Sequence, residues 1–268
     1  MSRALEGITI LDLTHMLSGP YGTMLLADMG ARTIKIEPPE RGEGTRRLLE
    51  GSQLYSKSGM GAYFLTLCRN KESVAIDLKS DEGREIFLGL VRHADIVVSN
   101  FGAGVLERLR IDYAHLSKVN PRIITCAISG FGETGPMPHR PAFDLVAQGM
   151  GGGMALTGYA DGEPLRAGIP IGDLAGGMFG AIGVLSALQA RARTGRVSPD
   201  SVSSMASGVS FGRLAARDGR DSSSDSSDCS HAGDGGPWLD AARGVPVSVA
   251  VRTSATACWQ LNPTEQLQ

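Results

Sequence analysis

Two carboxylates stand where either a reactive group or a helix cap would sit. Asp173 follows GIPIG and precedes Leu174–Ala190, a run without a single charged residue. An aspartate at a helix start accepts orphan amide hydrogens and stabilises the helix by about 0.5–2 kcal/mol. A carboxylate exposed among glycines is equally a nucleophile for covalent catalysis. Composition leaves both roles open for Asp173. Asp144, in RPAFDLVAQG, poses the same question, with capping as its default role.

Other residues offer binding chemistry. Lys35 and Glu37, in GARTIKIEPP, fall at a strand end, and their spacing alone favours an ion pair facing solvent at an edge. Arg69 and Lys71, in RNKESVAIDL, place two cations on a loop before a strand, where they could clamp phosphates; a solvated charge run is the commoner outcome. In SNFGAGVLERL, Asn100 and Phe101 follow an apolar strand, then come glycines, then Arg108 on a short helix. That strand–loop–helix order suits a polyphosphate or adenine, although one Gly-x-Gly carries little weight. Gly149–Met154 (GMGGGM) lacks the lysine and hydroxyl of a phosphate-binding loop and is expected to be a flexible turn. His15 follows a strand and is expected to be a core histidine. The four cysteines, Cys68, Cys126, Cys229 and Cys258, form no CxxC pair, so neither a zinc site nor a disulfide framework is indicated.

Alternating strands and helices must position these groups. Ile8–Leu13 reads as a strand, Pro20 opens a helix that Gly30 stops, and Thr33–Ile36 is a second strand. Ser73–Ile76, Asp95–Ser99 and Ile123–Ser129 are further strands. Between the first two of these, Asp77–Arg92 carries Ile86, Phe87, Leu90 and Val91 at helical spacing. The order is that of βαβ units, hence a doubly wound, mainly parallel Rossmann-like α/β sheet with flanking helices. A membrane span needs about 20 predominantly apolar residues. Within Asp173–Arg193 the uncharged run Leu174–Ala190 is short for that and rich in Gly and Ala, so a buried helix of a soluble domain is the expectation. Gly176, Gly177, Gly180 and Gly183 would let another backbone approach it closely, and Arg191, Arg193 and Gly195 close it.

The chain has 268 residues, 42% hydrophobic and 20% charged, which excludes wholesale disorder and fibrous repeats. A net charge of −2 and a pI near 6.2 disfavour a nucleic-acid partner. The N-terminus, MSRALEGITILDLTH, has acidic residues where a signal peptide would be apolar, so a cytoplasmic location is expected. Character changes after Val197. No lysine follows Lys118, and the stretch beginning at Ser198 is roughly one-third serine, as in low-complexity segments. Residues 197–268 are therefore expected to form a low-complexity or frame-shifted tail, with 198–236 poorly ordered.

The blocks GITILDLTHMLSGPYGTMLLADMGARTIKIEPP, YFLTLCRNKESVAIDLKSDEG, ADIVVSNFGAGVLERLRIDY, NPRIITCAISGFGETGP, RPAFDLVAQGMGGGMALTG, GIPIGDLAGGMFGAIGVLSAL and ARARTGR, in this order, resemble the class III CoA-transferase family. That family includes formyl-CoA and carnitine CoA-transferases and is related to α-methylacyl-CoA racemase. The resemblance, from about Leu5 to Arg196, implies that Asp173 is the catalytic nucleophile. It places CoA contacts at Lys71, Asn100, Phe101, Val105, Arg108 and Leu109, and more loosely at Leu17 and Pro38. It implies an acyl-CoA thioester and a carboxylic acid as substrates, no permanently bound cofactor, no metal, and no nucleic-acid or membrane partner. Where the racemases carry a His-Asp pair this chain has Phe143-Asp144, and Phe143 cannot exchange a proton, so transfer is favoured over racemase-like isomerisation. Family members are longer and form interlocked homodimers. On that basis residues 1–196 are the N-terminal part of the large domain, in a truncated chain expected to lack turnover; a CoA-binding but inactive fragment and a non-functional product are the alternatives.

Overall fold

The computed structural model of the chain describes residues 3–132, 137–159, 161–195 and 197, and the backbone of Val202–Met205. In chain order the elements are β1 (Thr9–Asp12), α1 (Ser18–Asp28), β2 (Arg32–Glu37), the hairpin strands β3 (Ser56–Lys57) and β4 (Met60–Gly61), and α2 (Ala62–Leu67). They continue with β5 (Lys71–Ala75), α3 (Asp81–Val91), β6 (Ile96–Ser99), α4 (Val105–Leu109), α5 (Tyr113–Val119) and β7 (Ile124–Ser129). The last are α6 (Asp144–Met150), α7 (Ile171–Thr194) and β8 (Val202–Met205). The main sheet is six-stranded, in the order β5-β2-β1-β6-β7-β8, with every pairing parallel. The expected parallel α/β architecture is present.

Parallel strands are covered on both faces and so read as apolar runs, as Ile96–Val98 does. Alternate residues divide between two cores. Leu11, Val97, Ile34 and Ile36 pack with Phe87 and Val91 of α3 and Leu116 of α5. Ile10, Ile96, Val98, Ile124 and Ile128 pack on the other face with Leu26 of α1 and Val184 of α7. Helix α3 starts later than the expected Asp77 because the Ser80 hydroxyl caps it, accepting the Gly83 amide at 3.0 Å. Its Ile86, expected in the apolar stripe, faces outward, whereas Phe87 and Val91 are fully buried. Pro20 lies in the third position of α1, not the first, where its missing N–H still costs no helical bond. Gly149–Met154 is the end of α6 and the start of a 3₁₀ turn, Gly153–Leu156, not a free loop.

Two departures concern the C-terminal part. The backbone of Val202–Met205 pairs in register with Cys126–Ser129, so the sheet extends past the boundary at 196 that composition sets. The remainder of the expectation for 198–236 lies outside the described residues. Helix α7 is long and apolar enough to cross a membrane by length and composition. Here it is a layer helix buried on one face only: Gly180, Ala181 and Val184 face the sheet, while Met178, Phe179 and Ile182 are exposed.

Contact between α1 and α7 is backbone to backbone. A Cβ on Gly177 would lie 2.4 Å from the Ser18 carbonyl oxygen, and one on Gly22 would lie 2.7 Å from that of Gly177. Neither atom can yield without moving a helix. Gly177→Ala is expected to destabilise the fold by about 1–3 kcal/mol, the usual cost of overpacking. Urea unfolding measures this, with Gly89→Ala on α3, where a Cβ meets nothing within 4 Å, as the control expected to hold or gain up to about 1 kcal/mol.

Candidate active site

The chain leaves β1 towards β2 and β5 on one side, and β6 towards β7 and β8 on the other. Adjacent strands β1 and β6 thus form the switch point of the sheet, and ligands of open α/β folds bind outside the strand ends there. Asn100 spans the crevice. Its Oδ1 accepts the His15 backbone N–H at 2.9 Å and its Nδ2 donates to the His15 carbonyl at 2.7 Å. The His15 ring lies against Phe101 with centroids 5.5 Å apart and planes 28° from parallel. His15 is therefore half-buried at a site rather than a core residue. Burial holds its imidazole below the usual pKa; Lys35 acts in the same direction, and Glu43 opposes both.

Beneath this crevice lies a buried ionic cluster. Lys71 Nζ donates to Asp12 Oδ2 at 2.9 Å, to the Pro20 carbonyl at 3.0 Å and to the Thr23 hydroxyl at 2.9 Å, with its side chain only 1% exposed. Lys35 Nζ donates to the Thr14 carbonyl at 2.6 Å. Burial pushes the Asp12 carboxyl up, but Lys35, Lys71 and the Thr14 hydroxyl outweigh it and hold the group far below the carboxylate range. Glu37 behaves similarly. Burial alone would raise it, yet the Arg46 guanidinium, the Ser73 hydroxyl and the Glu43 amide bring it down to about 2. The expected solvent-facing pair of Lys35 and Glu37 is thus absent: both are buried, because β2 runs between β1 and β5. Lys71 starts β5 instead of sitting on a loop, and its ammonium has three protein acceptors. Arg69 pairs with Asp28 at 2.5 Å. Neither cation is therefore a free charge on a solvated loop: Arg69 has a carboxylate partner and Lys71 is buried.

The second half of the site is the start of α7. The residue before its first turn is Pro170, which provides no side-chain cap. Asp144 of α6 fills that role from outside the helix. Its Oδ1 accepts the amides of Gly172 at 2.8 Å and Asp173 at 3.3 Å, and its Oδ2 accepts Gln148 Nε2 at 2.6 Å. Gln148 in turn accepts the Ala167 amide at 2.8 Å. The cap and the Asp173 side chain are therefore separate groups. Burial pushes the Asp173 carboxyl up to about 6, and the neighbouring Asp144 charge adds to the effect. Tyr63 of α2 lies within electrostatic reach of the same carboxylate; burial, then Asp173 and Glu43, push its phenol up to about 12.

Asn100 and Phe101 meet at the switch point, and Val105, Arg108 and Leu109 follow on α4, with Leu109 and Phe101 resting on the core. Arg108 is exposed, with no ion pair among the described residues. Leu17 precedes the first residue of α1, and Pro38 lines an open cleft of about 270 Å³ beside Arg41 and Arg46. Asp12, Glu43 and Tyr63 are the site residues that motif reading misses. Only Asp12, an acid closing an apolar strand, carries a local signal.

The family model for CoA-transferase family III matches residues 5–223, past the compositional boundary at 196, and the chain belongs to that family. An acetyl-CoA:oxalate CoA-transferase from Acetobacter aceti is 47% identical over 183 residues, covering 68% of this chain and 46% of that protein. A succinyl-CoA:glutarate CoA-transferase from Mus musculus is 42% identical over 185 residues, 69% of this chain and 41% of that protein. Among solved structures, a CAIB/BAIF family protein from Brucella suis is 37% identical with a TM-score of 0.72, over 81% of this chain and 56% of that one. The chain spans less than half the length of these two curated relatives.

The Asp173 environment carries a stability signature. Its carboxyl is raised from 3.8 to about 6 in the folded protein, so folding favours the neutral form. Its contribution is fully favourable below the unfolded pKa and is lost as pH rises through the folded one. Asp173→Asn, which does not ionise, is expected to gain melting temperature relative to wild type between pH 4 and 6.5, with the difference constant above. Thermal melts across pH 3.5–8.5 check this; parallel profiles for the two proteins would contradict the burial of the carboxyl.

Proposed function

We propose that Asp173 is the nucleophile of a CoA transfer between an acyl-CoA thioester and a carboxylic acid acceptor. The observation that carries the reading is that Asp144 occupies the amides of Gly172 and Asp173, so the Asp173 carboxylate has no capping duty. Burial makes it more basic than an ordinary aspartate, yet it still ionises near neutral pH. Cys68 is the poorer nucleophile, since burial pushes its thiol up to about 11. The named relatives move CoA between different pairs of carboxylic acids, which supports the reaction class and leaves the acyl group open.

In this reading an Asp173 oxygen attacks the thioester carbonyl carbon, the C–S bond breaks, and CoA leaves as its thiolate from a mixed anhydride. The thiolate attacks the Asp173 carbonyl, releasing the first carboxylate and leaving an aspartyl-CoA thioester. The acceptor carboxylate attacks that thioester, giving a second anhydride and thiolate. The thiolate then takes the new acyl group and Asp173 is regenerated. Each step exchanges one acyl bond for another, the usual gain from covalent catalysis. Tyr63, its phenol pushed up to about 12, stays neutral within electrostatic reach of the reacting carboxylate. CoA lies along the switch point, with Phe101, Val105 and Leu109 as its apolar flank and Arg108 as a cation for its phosphates. The reading extends to a homodimer, with the exposed Met178, Phe179 and Ile182 of α7 as apolar surface.

Incubation with acetyl-CoA or succinyl-CoA, followed by intact mass and peptide mapping, tests the nucleophile. A covalent adduct on the peptide containing Asp173 is expected, increasing as pH rises through about 6. Asp173→Asn should abolish it while CoA binding persists. An adduct retained by the variant would overturn the assignment. CoA binding without any adduct in wild type would favour the binding-only alternative.

A further inference from the structure

The loop that joins β1 to α1 is held more firmly than its length requires. Met16 has φ +65°, a left-handed conformation that residues with a Cβ disfavour and that persists only where the surroundings impose it. Three side chains from three separate places grip three consecutive residues. Lys35 of β2 donates to the Thr14 carbonyl at 2.6 Å. Asn100, after β6, brackets the His15 backbone at 2.9 and 2.7 Å. Glu43, after β2, accepts the Met16 N–H on Oε1 at 3.0 Å.

Glu43 is the unusual member. Lys35 and Asn100 belong to the sheet or its immediate end, and each would be fixed there in any case. Glu43 lies in an irregular segment, is only 5% exposed, and has no ion pair among the described residues. Its other oxygen accepts the N–H of Thr45 at 3.1 Å and the Thr45 hydroxyl. A carboxylate buried on neutral donors is costly unless each donor is well placed. Its own backbone is held as well: the Glu43 N–H donates to Glu37 Oε2 at 2.8 Å, and Arg46 grips both oxygens of Glu37 at 2.6 Å while standing 3.9 Å over the Phe64 ring.

We propose that Glu43 is a positioning residue: it holds the loop Thr14–Leu17, and with it the His15–Phe101 stack, in the shape that receives the nucleotide end of the CoA thioester. The proposal rests on the reading of the switch point as the CoA site. A turn cap alone would need one short acceptor. Glu43 instead uses its length to join two segments, the turn that it opens and the loop at the switch point.

Two variants test it, Glu43→Ala and Glu43→Gln, with Glu85→Gln on the outer face of α3 as a control. Hydrogen exchange of the Met16 amide should quicken at least tenfold in Glu43→Ala. The charged groups acting on His15 are Glu43 and Lys35, with Phe101 as its apolar neighbour. Removing the Glu43 charge in Glu43→Gln should therefore lower the His15 titration midpoint read by NMR. CoA affinity by calorimetry should fall at least tenfold in both variants, while Glu43→Gln melts within a few degrees of wild type. Unchanged Met16 exchange, an unmoved His15 midpoint or undiminished CoA affinity in a folded variant would overturn the proposal. If Glu43→Ala fails to fold, Glu43→Gln decides by the His15 midpoint and CoA affinity. Failure of wild type to bind CoA would overturn the CoA reading, and the Met16 and His15 measurements would then settle whether Glu43 holds the loop.

Discussion

The amides that open α7 need an acceptor, and the acceptor comes from another helix. Had Asp173 capped its own helix, its carboxylate would be committed to backbone hydrogen bonds. Asp144 takes those bonds from α6, with Gln148 fixing its second oxygen. Everything at the candidate site depends on this division of labour. The far end of α7 is pinned as well, by Arg191 to Asp95 Oδ1 at 2.6 Å and to the Arg122 carbonyl at 2.9 Å. Between these ends Gly177 brings α7 into backbone contact with α1, whose first residue follows the loop carrying His15. The Asp173 end of the site and the switch point are thereby parts of one packed unit.

The same sheet holds several buried charges. Asp12, Lys35, Lys71 and Glu37 lie on the neighbouring strands β1, β2 and β5, each matched by an opposite charge or by well-placed donors and acceptors. Buried ion pairs often add little net stability, because desolvation offsets the attraction, and removing one partner is far more damaging than replacing both. Their value here is geometric. They tie the start of β5 and the end of β2 to the end of β1, and Lys35 carries that register to the loop at the switch point.

Much of the sheet is legible in the sequence because buried parallel strands are continuous apolar runs, as at Ile96–Val98, and because Phe87 and Val91 recur at helical spacing. Charged residues mislead for a physical reason. Lys35 and Glu37 look solvent-facing, since nothing adjacent in sequence reveals that β5 will flank β2 and that Thr14 and Arg46 will supply their partners. Asp173 is ambiguous for the same reason: its amide is capped by a residue 29 positions earlier, which no local rule can find. Val202–Met205 lies in a serine-rich stretch whose composition argues against structure, yet its strand exists by pairing with β7. The place of Asn100 and Phe101 after a strand is legible from the apolar run before them, and the structure sets that strand end at the switch point.

The central claim is that Asp173 is a desolvated carboxyl released from capping by Asp144. Carbon-13 labelling of the aspartates, with Asp173 assigned by comparison with Asp173→Asn, reads its titration directly by NMR. A midpoint near 6 is expected, well above the ordinary 3.8, with a fall towards the ordinary value when Asp144 is replaced by Asn. A midpoint at the ordinary value in the wild-type protein, unmoved by Asp144→Asn, would contradict it.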